Sequence, residues 1–116
     1  MKPDVFITKL NQQPEQVEFS DTMAVIDQNY TFTPTTFSNG NMVNEENQNN
    51  GSCKIFSFGQ LKGLSEQQTL ACFGRYYRDD VLGNPDGDDH QNIRNFMVTG
   101  WSRIHFKDDT LIAKQR

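Results

Sequence analysis

The strongest helical pattern of hydrophobic and polar positions covers residues 65–83. Ser65 is placed to cap the first turn, and Gln68, three residues later, can hydrogen-bond back to the cap. At about 100° per residue, one side of this helix is an apolar stripe. The stripe consists of Leu70, Phe73, Gly74, Tyr77 and Val81. Glycine costs about 1 kcal/mol relative to alanine inside a helix, so Gly74 on the stripe indicates that another backbone segment approaches closely there.

A tight acidic turn and a second helix follow the first. Gly83 is placed to end the first helix, and the Asn-Pro-Asp-Gly sequence of residues 84–87 fits a type I turn. Asp88 or Asp89 then caps the next helix, and Gln91 completes a capping box with Asp88. Hydrophobic residues continue at helical spacing; they are Ile93, Phe96, Met97 and Trp101. The pattern therefore predicts two helices joined by a short connection.

Polar residues on the first helix fall into two groups by angular position. Arg75 and Asp79 lie four residues apart on the solvent side, together with Cys72, and predict a surface ion pair worth about 0.2–0.5 kcal/mol. Asp80 lies instead at the edge of the apolar stripe, where an unpaired carboxylate is costly to bury. Its simplest interpretation is a structural hydrogen bond to the start of the next helix or to a tyrosine hydroxyl.

Shorter elements are predicted in the first third of the chain. Apolar spacing after an early proline predicts a helix over residues 3–11, and a second helix is expected over residues 19–30. Threonines then alternate with phenylalanines, and Asn39-Gly40 is the strongest hairpin signal in the chain. A small sheet is therefore expected over residues 32–43.

A polar stretch precedes an apolar one in the middle of the chain. Residues 44–52 contain no apolar side chain and predict a solvated loop. Residues 52–63 are interpreted as a helix capped at its first residue, although the run Ile-Phe-Ser-Phe also fits a strand. Farther on, alternation around Ile104 predicts a strand with His105 facing solvent, and residues 111–113 either pair or trail off.

Together these elements predict an α+β fold in a single, mainly helical domain over residues 1–116, with about four to five helices and a small antiparallel sheet. The sheet would comprise the region of residues 32–43 and the strand at Ile104. A chain of 116 residues is long enough to bury one hydrophobic core. Its nine phenylalanines supply much of that core.

Charge narrows the expected partners. The formal net charge is -4, the pI is about 5.0, and no basic run is present. These properties argue against direct binding to nucleic acid or to an anionic membrane surface. The sequence has no apolar stretch long enough to span a bilayer. We expect a monomer with a protein partner or a small ligand.

The acidic turn resembles a calcium loop only superficially. If Gly87 occupied the sixth position of an EF-hand, the first and twelfth ligand positions would be Leu82 and Ile93, which are both apolar. Weak metal binding remains an alternative for four residues of this turn, which are Asp86, Asp88, Asp89 and His90. Turn formation and the start of a helix explain these residues more simply. We therefore predict no metal site and no cofactor.

The two cysteines, Cys53 and Cys72, have no metal-binding spacing, and the N-terminal residues lack the basic and apolar regions of a secretory signal. Reduced thiols in the cytoplasm are expected. Cys53 lies near a predicted helix start, where the pKa of a thiol can be lowered. A nucleophile pair of Cys53 with His90 is conceivable, but a packing role is the more common one for such cysteines.

A candidate polar pocket lies between the two predicted helices. Its residues would be Tyr76, Tyr77, Arg78, Asp80 and His90. Asp80 would act as a base or ligand anchor, His90 as a proton carrier and Arg78 as an anion contact. A hydrogen-bonded junction between helices without any ligand is the simpler alternative.

The chain resembles the HopJ type III effector family. Three segments carry the resemblance: DTMAVIDQNYTFTPTTFSNG (residues 21–40), NGSCKIFSFGQLKGLS (residues 50–65) and QTLACFGRYYRDDVLGNPDGDDHQNIRNFMVTGW (residues 68–101). The resemblance implies a bacterial protein that a type III secretion apparatus delivers into a host cell. It implies no established activity, cofactor or catalytic residue.

Two functions are compatible with the sequence. The first is a non-enzymatic interaction module, cytoplasmic in the producing bacterium and delivered to host cells, with Arg75, Tyr76 and Arg78 as exposed contact residues. The alternative is an intracellular small enzyme or ligand-binding protein that uses a polar pocket around Asp80 and His90. The lack of a recognised catalytic motif favours the first.

Overall fold

The computed structural model describes residues 1–114 and confirms a mainly helical α+β fold. Its α-helices are α1 (Pro3–Gln12), α2 (Phe19–Asn29), α3 (Asn50–Lys62), α4 (Glu66–Ala71) and α5 (Gln91–Thr99). A π-helical segment covers Tyr76–Val81, and 3-10 turns cover Pro14–Gln16 and Gly100–Arg103. Within the described residues, no helix is long and apolar enough to cross a membrane.

The strands form two small antiparallel sheets. They are β1 (Tyr30–Phe32), β2 (Phe37–Asn39), β3 (Met42–Asn44), β4 (Ile104–Phe106) and β5 (Leu111–Ala113). One sheet has the order β3-β2-β4, and β1 pairs with β5 in the other. The predicted hairpin is confirmed, with Gly40 and Asn41 between the paired residues Asn39 and Met42. Phe32 departs from that prediction because it pairs with Leu111 in the second sheet.

Helix α3 runs through the centre of the core, so the helical interpretation of this segment is confirmed. Phe56 is fully buried, and its ring lies 4.9 Å from the ring of Phe96 and 5.6 Å from that of Phe73, measured between centroids. The helix begins earlier than predicted, since Asn49 rather than Ser52 occupies the N-cap. The core therefore depends on aromatic contacts between α3, α5 and the segment after α4.

The predicted continuous helix over residues 65–83 is wrong, because it is interrupted at Gly74. Ser65 and Gln68 form the predicted capping box. Gly74 has a φ of +62°, and a Cβ at this position would lie 2.6 Å from the backbone nitrogen of Phe19. Positive φ strongly favours glycine. The predicted close approach of another backbone segment is thus confirmed, and that approach breaks the helix.

The interruption changes the environment of the residues on both sides. Cys72, predicted to face solvent, is fully buried, and its carbonyl accepts a 2.8 Å hydrogen bond from the Thr22 hydroxyl. Arg75 turns toward Glu18 at 3.1 Å and does not form the predicted pair with Asp79. Counting 100° per residue along one straight helix places these residues on the wrong sides, because the direction of the helix axis changes at Gly74.

Two predictions about the polar loops also require correction. Asn44, assigned to a solvated loop, lies in β3 and is fully buried. Neither Asp88 nor Asp89 caps α5, because His90 occupies the N-cap in the left-handed conformation and makes no capping hydrogen bond through its side chain. Asp89 instead pairs with Arg94 at 2.6 Å. The exposure predicted for His105 is confirmed.

Candidate functional site

Three of the predicted site residues meet where the π-helical segment faces the start of α5. The Asp80 Oδ2 atom lies 3.0 Å from His90 Nε2. The Tyr76 and His90 rings are 5.1 Å apart between centroids, and the Tyr76 ring also contacts Phe19 edge-on at 5.1 Å. His90 is therefore held by a carboxylate at its ring edge and by an aromatic ring at its face.

All three side chains remain open to solvent. The side chains of His90 and Asp80 are 28% and 49% exposed, and Tyr76 as a whole is 43% exposed. An ionised Asp80 can only accept a hydrogen bond, so His90 Nε2 carries the proton that it donates. In the neutral imidazole Nδ1 is then an acceptor. The site thus offers a ligand the Nδ1 atom of His90 as an acceptor and the hydroxyl of Tyr76.

Tyr76 and His90 stand at a concave cavity of about 450 Å³. Its apolar wall consists of Phe19, Met42, Phe73, Tyr76 and Ile93, and its polar wall of Asn49, Gly51, Ser52, His90, Gln91 and Asn92. Asp80 is not among the lining residues and contacts the cavity only through His90. The arrangement suits a ligand that has both an apolar and a polar part.

The polar wall contains the first turns of α3 and α5. The backbone N–H groups of residues 50–52 and 91–93 form no hydrogen bond with the described part of the chain. The first hydrogen bonds of these helices come from Cys53 N to Asn49 O and from Arg94 N to His90 O. Free N–H groups at helix starts donate hydrogen bonds to water or to ligand oxygens.

The other two predicted site residues lie elsewhere. Arg78 donates a 2.7 Å hydrogen bond from Nη1 to Val17 O and pairs with Glu18 at 3.4 Å, so it joins the π-helical segment to the start of α2. Tyr77 is half-buried and lines a different groove beside Leu10. The structure therefore brings together Tyr76, Asp80 and His90 but not Tyr77 and Arg78.

A buried asparagine network beside the cavity was missed by the sequence analysis. Asn92 Oδ1 accepts hydrogen bonds from Asn39 and Asn44 at 3.1 Å each, and Asn92 Nδ2 donates to Asn44 Oδ1 at 2.9 Å. Asn49 donates to Asn44 Oδ1 at 2.7 Å. The alternation of Phe37 and Asn39 in β2 was the available signal, since both lie on the buried face of the hairpin.

Neither thiol is available as a nucleophile. Burial raises the pKa of Cys53, whose thiol lies 3.9 Å from Thr35 O and forms no hydrogen bond with His90. Burial raises the pKa of Cys72 to about 12. At Cys53, desolvation therefore outweighs any lowering of the pKa by the nearby helix start.

The acidic turn is organised by an arginine. Arg94 donates to Asp89 Oδ1 and to backbone oxygens of Asn84 and Asp89. The hydrogen bond from Arg94 to Asp89 Oδ1 holds the pKa of the Asp89 carboxyl below its ordinary value. Among the described residues, no group of three or more His, Cys, Asp and Glu side chains is placed to hold a metal ion. Arg94 thus ties both ends of the turn together through these hydrogen bonds.

Fold and site together define a small α+β protein with an aromatic and imidazole-lined cavity at the starts of two helices. The chain belongs to the HopJ type III effector family, since the family model described as HopJ type III effector protein matches residues 3–111. It is also similar to a crystal structure of an unknown function protein, VPA0580. That likeness has a TM-score of 0.96 and 58% sequence identity over 98% of this chain and 95% of that chain. No curated protein matches the sequence.

Proposed function

We propose that this chain is a non-enzymatic binding protein whose site is the cavity beside Tyr76 and His90. The arrangement of Asp80, His90 and Tyr76 at the edge of this cavity carries the proposal. Asp80 orients the imidazole, and Tyr76 covers one of its faces. A ligand in the cavity would meet an oriented Nδ1 atom instead of a freely rotating ring.

Binding is better supported than catalysis by the same geometry. Asp80 would serve the alternative, an intracellular enzyme, as a general base, but its Oδ2 atom is directed at His90. Both thiols are buried and have raised pKa values, so neither supplies a thiolate near neutral pH. Ser52 lines the same cavity as His90, but no hydrogen bond joins the two side chains in the described part of the chain.

The cavity limits the chemistry of its occupant. Its volume of about 450 Å³ falls within the usual range of about 300–1,000 Å³ for small-molecule sites. The aromatic and apolar lining side chains favour a planar or apolar group. The N–H groups of residues 50–52 and 91–93 favour acceptor oxygens on the same ligand. A small organic molecule or one protruding side chain of a protein partner meets these requirements, and we expect it to bind a monomer.

A fragment screen by two-dimensional NMR of the 15N-labelled protein tests this proposal. Fragments that combine a hydroxyl-bearing aromatic ring, whose O–H can donate to His90 Nδ1, with a carboxylate should shift the amide signals of residues 50–52 and 91–93. The His90→Ala variant should weaken their binding at least about fivefold, as expected for loss of one hydrogen bond and one ring contact.

The matched control is His105→Ala, because His105 is an exposed histidine on β4 that lies outside the cavity. This variant should bind the same fragments as the unmodified protein does. Shifts that cluster at any other surface, or fragment affinities equal in the His90→Ala variant, would contradict the proposed site.

Delivery into a host cell is a second part of the proposed function, supported by membership in the HopJ type III effector family. We propose that the protein is made in the cytoplasm and is unfolded for export. Phe6 and Leu10 of α1 are buried in the core, and the amino terminus donates to Gln28. Export of the N-terminal segment first would therefore require α1 to detach.

An export assay tests delivery by following the tagged protein in the medium of a type III-competent strain and of a strain with a disabled secretion ATPase. Release should require the ATPase, and Phe6→Ala, which loosens α1, should accelerate it. The control is Val5→Ala, because Val5 is exposed on the same helix. Retention in both strains, while a known substrate is exported, would contradict delivery.

A further inference from the structure

We propose that strand β4 receives an extended segment of a partner protein as an added β-strand. The segment would lie in the groove between α3 and the run of residues 104–111, with its main chain bonded to the outer edges of β4 and β5. This binding surface is separate from the cavity at His90 and does not depend on its function. The inference rests on unpaired backbone groups, on the shape of the groove and on a buried hydroxyl that lines it.

Strand β4 is an edge strand with open hydrogen-bonding groups. Ser38 pairs with His105, and the flanking bonds run from Gly40 N to Arg103 O and from Lys107 N to Thr36 O. In an antiparallel pair the intervening residues direct their N–H and C=O groups away from the partner strand. Ile104 N–H is used by Trp101 O. The N–H and C=O of residue 106 and the C=O of residue 104 therefore remain open.

Strand β5 presents the same feature. Thr31 pairs with Ile112, and bonds run from Thr33 N to Thr110 O and from Lys114 N to Asn29 O on either side. The N–H and C=O of Leu111 are therefore directed away from β1. In the described part of the chain, β4 is an unpaired edge of one sheet and β5 is an unpaired edge of the other. These two strands follow each other in the sequence.

A groove of about 750 Å³ lies beside both edges. It is lined by the continuous run from residue 104 to residue 111 and by Ser57, Gln60 and Leu61 of α3. The Ser57 side-chain oxygen is buried and has no hydrogen-bond partner among oxygens and nitrogens of the described residues, and its polar neighbour is the Cys53 thiol. Leu61 is exposed and supplies an apolar contact at the groove.

An extended polypeptide matches this set of groups better than a helix does. A strand carries donors and acceptors on both of its edges, at a repeat of about 6.8 Å along the chain. The open groups of residues 104 and 106 have that spacing because they are two residues apart in one strand. A helix has no free main-chain groups along its length. Strand addition of this kind is a known mode of peptide recognition.

Selection of a random-sequence phage-displayed peptide library on the full chain, followed by NMR titration with the strongest synthetic peptide, tests the proposal. Bound peptide should slow hydrogen exchange at the amides of residues 106 and 111. The Phe106→Pro variant removes an outward N–H and should weaken binding at least about fivefold. Val43→Pro is the control, because Val43 occupies the equivalent outward position on the opposite edge of the same sheet.

Phe106 also stacks on Phe37, so a second pair of variants separates binding from folding. Leu61→Arg changes an exposed groove residue and should weaken the peptide, whereas Ile112→Arg changes an exposed residue of β5 outside the groove and should not. Recovery of no peptide with a Kd below about 1 mM would overturn the proposal. So would peptides that shift only residues near His90, or self-association that protects residue 106 without peptide.

Discussion

The segments before and after Gly74 differ in burial although they adjoin in the chain. Leu70, Cys72 and Phe73 before the glycine are buried in the core. Tyr76 and Asp80 after it are roughly half-exposed and face His90. A continuous α-helix would have kept both segments on one axis. The break at Gly74 allows one stretch of sequence to supply core residues first and candidate site residues next.

The cause of the break is the docking of another chain segment. The backbone at Glu18 and Phe19 lies so close to Gly74 that a Cβ would contact it at 2.6–3.0 Å. Beyond the glycine, the chain winds more widely, with a hydrogen bond of 3.0 Å from Leu82 N to Tyr77 O. Such π-type turns often occur at functional sites. A local conformation imposed by packing at Gly74 thus also positions the site residues Tyr76 and Asp80.

The largest effect is expected from Gly74→Ala, which should remove the difference between the two segments. We expect a loss of about 3–5 kcal/mol in the free energy of unfolding, because positive φ and a backbone contact combine. Chemical denaturation measures it. Gly63→Ala is the control, since Gly63 has a φ of +64° and no neighbour within 4 Å. Equal losses in the two variants would show that the contact with Phe19 is unimportant.

Truncation of one aromatic residue on each side of Gly74 should have unequal effects on stability. Phe73→Ala should cost about 3–5 kcal/mol in the free energy of unfolding, because its buried ring contacts Phe56. Tyr76→Ala should cost about 1 kcal/mol, because its ring is half-exposed. Urea denaturation of both variants against the unmodified protein tests this. A cost for Tyr76→Ala as large as that for Phe73→Ala would make Tyr76 a core residue.

The buried thiol before Gly74 predicts sensitivity to alkali. The unfolded Cys72 thiol ionises near an ordinary pKa of about 8.5, whereas the folded thiol has a pKa of about 12. The stabilisation is present below the unfolded pKa and is lost as pH rises toward the folded one. Between about pH 8.5 and 10.5 the unmodified protein should lose about 2–3 kcal/mol more than Cys72→Ala. Identical pH profiles by denaturation would contradict this.

The smallest effect is expected from Asp80→Asn after the glycine. The amide still accepts a hydrogen bond from His90, and the pair is half-exposed, so the free energy of unfolding should fall by less than about 1 kcal/mol. Fragment binding at the cavity should weaken because a neutral amide holds the imidazole less strongly than a carboxylate does. Asp79→Asn, an exposed neighbour, is the control. A loss above about 3 kcal/mol with unchanged fragment binding would assign Asp80 a purely structural role.

Much of the fold was predictable because its signals are local. The capping box of Ser65 and Gln68, the hairpin at Asn39 and Gly40, and the helix beginning at Pro3 each depend on residues within a few positions of one another. The same holds for the strand at Ile104, whose alternating pattern also places His105 toward solvent.

The candidate site was predictable only in part. Tyr76, Asp80 and His90 come together because a short turn returns the chain to the end of the π-helical segment. Tyr77 and Arg78 do not join them, because Arg78 is held by Val17 and Glu18 on another face. Helical periodicity contains no information about such a contact between distant segments.

By itself, the sequence determined most of the helices, the hairpin at Asn39 and Gly40 and the strand at Ile104, together with membership in the HopJ type III effector family. Caps, turns and periodic hydrophobic positions act over a few residues, so they can be recognised without the rest of the chain. Only the tertiary structure decided that the helix breaks at Gly74 and that Asn92 is buried among other asparagines. Both outcomes depend on contacts between segments that are distant in sequence. Such contacts form, and contribute to stability, only when the whole chain folds.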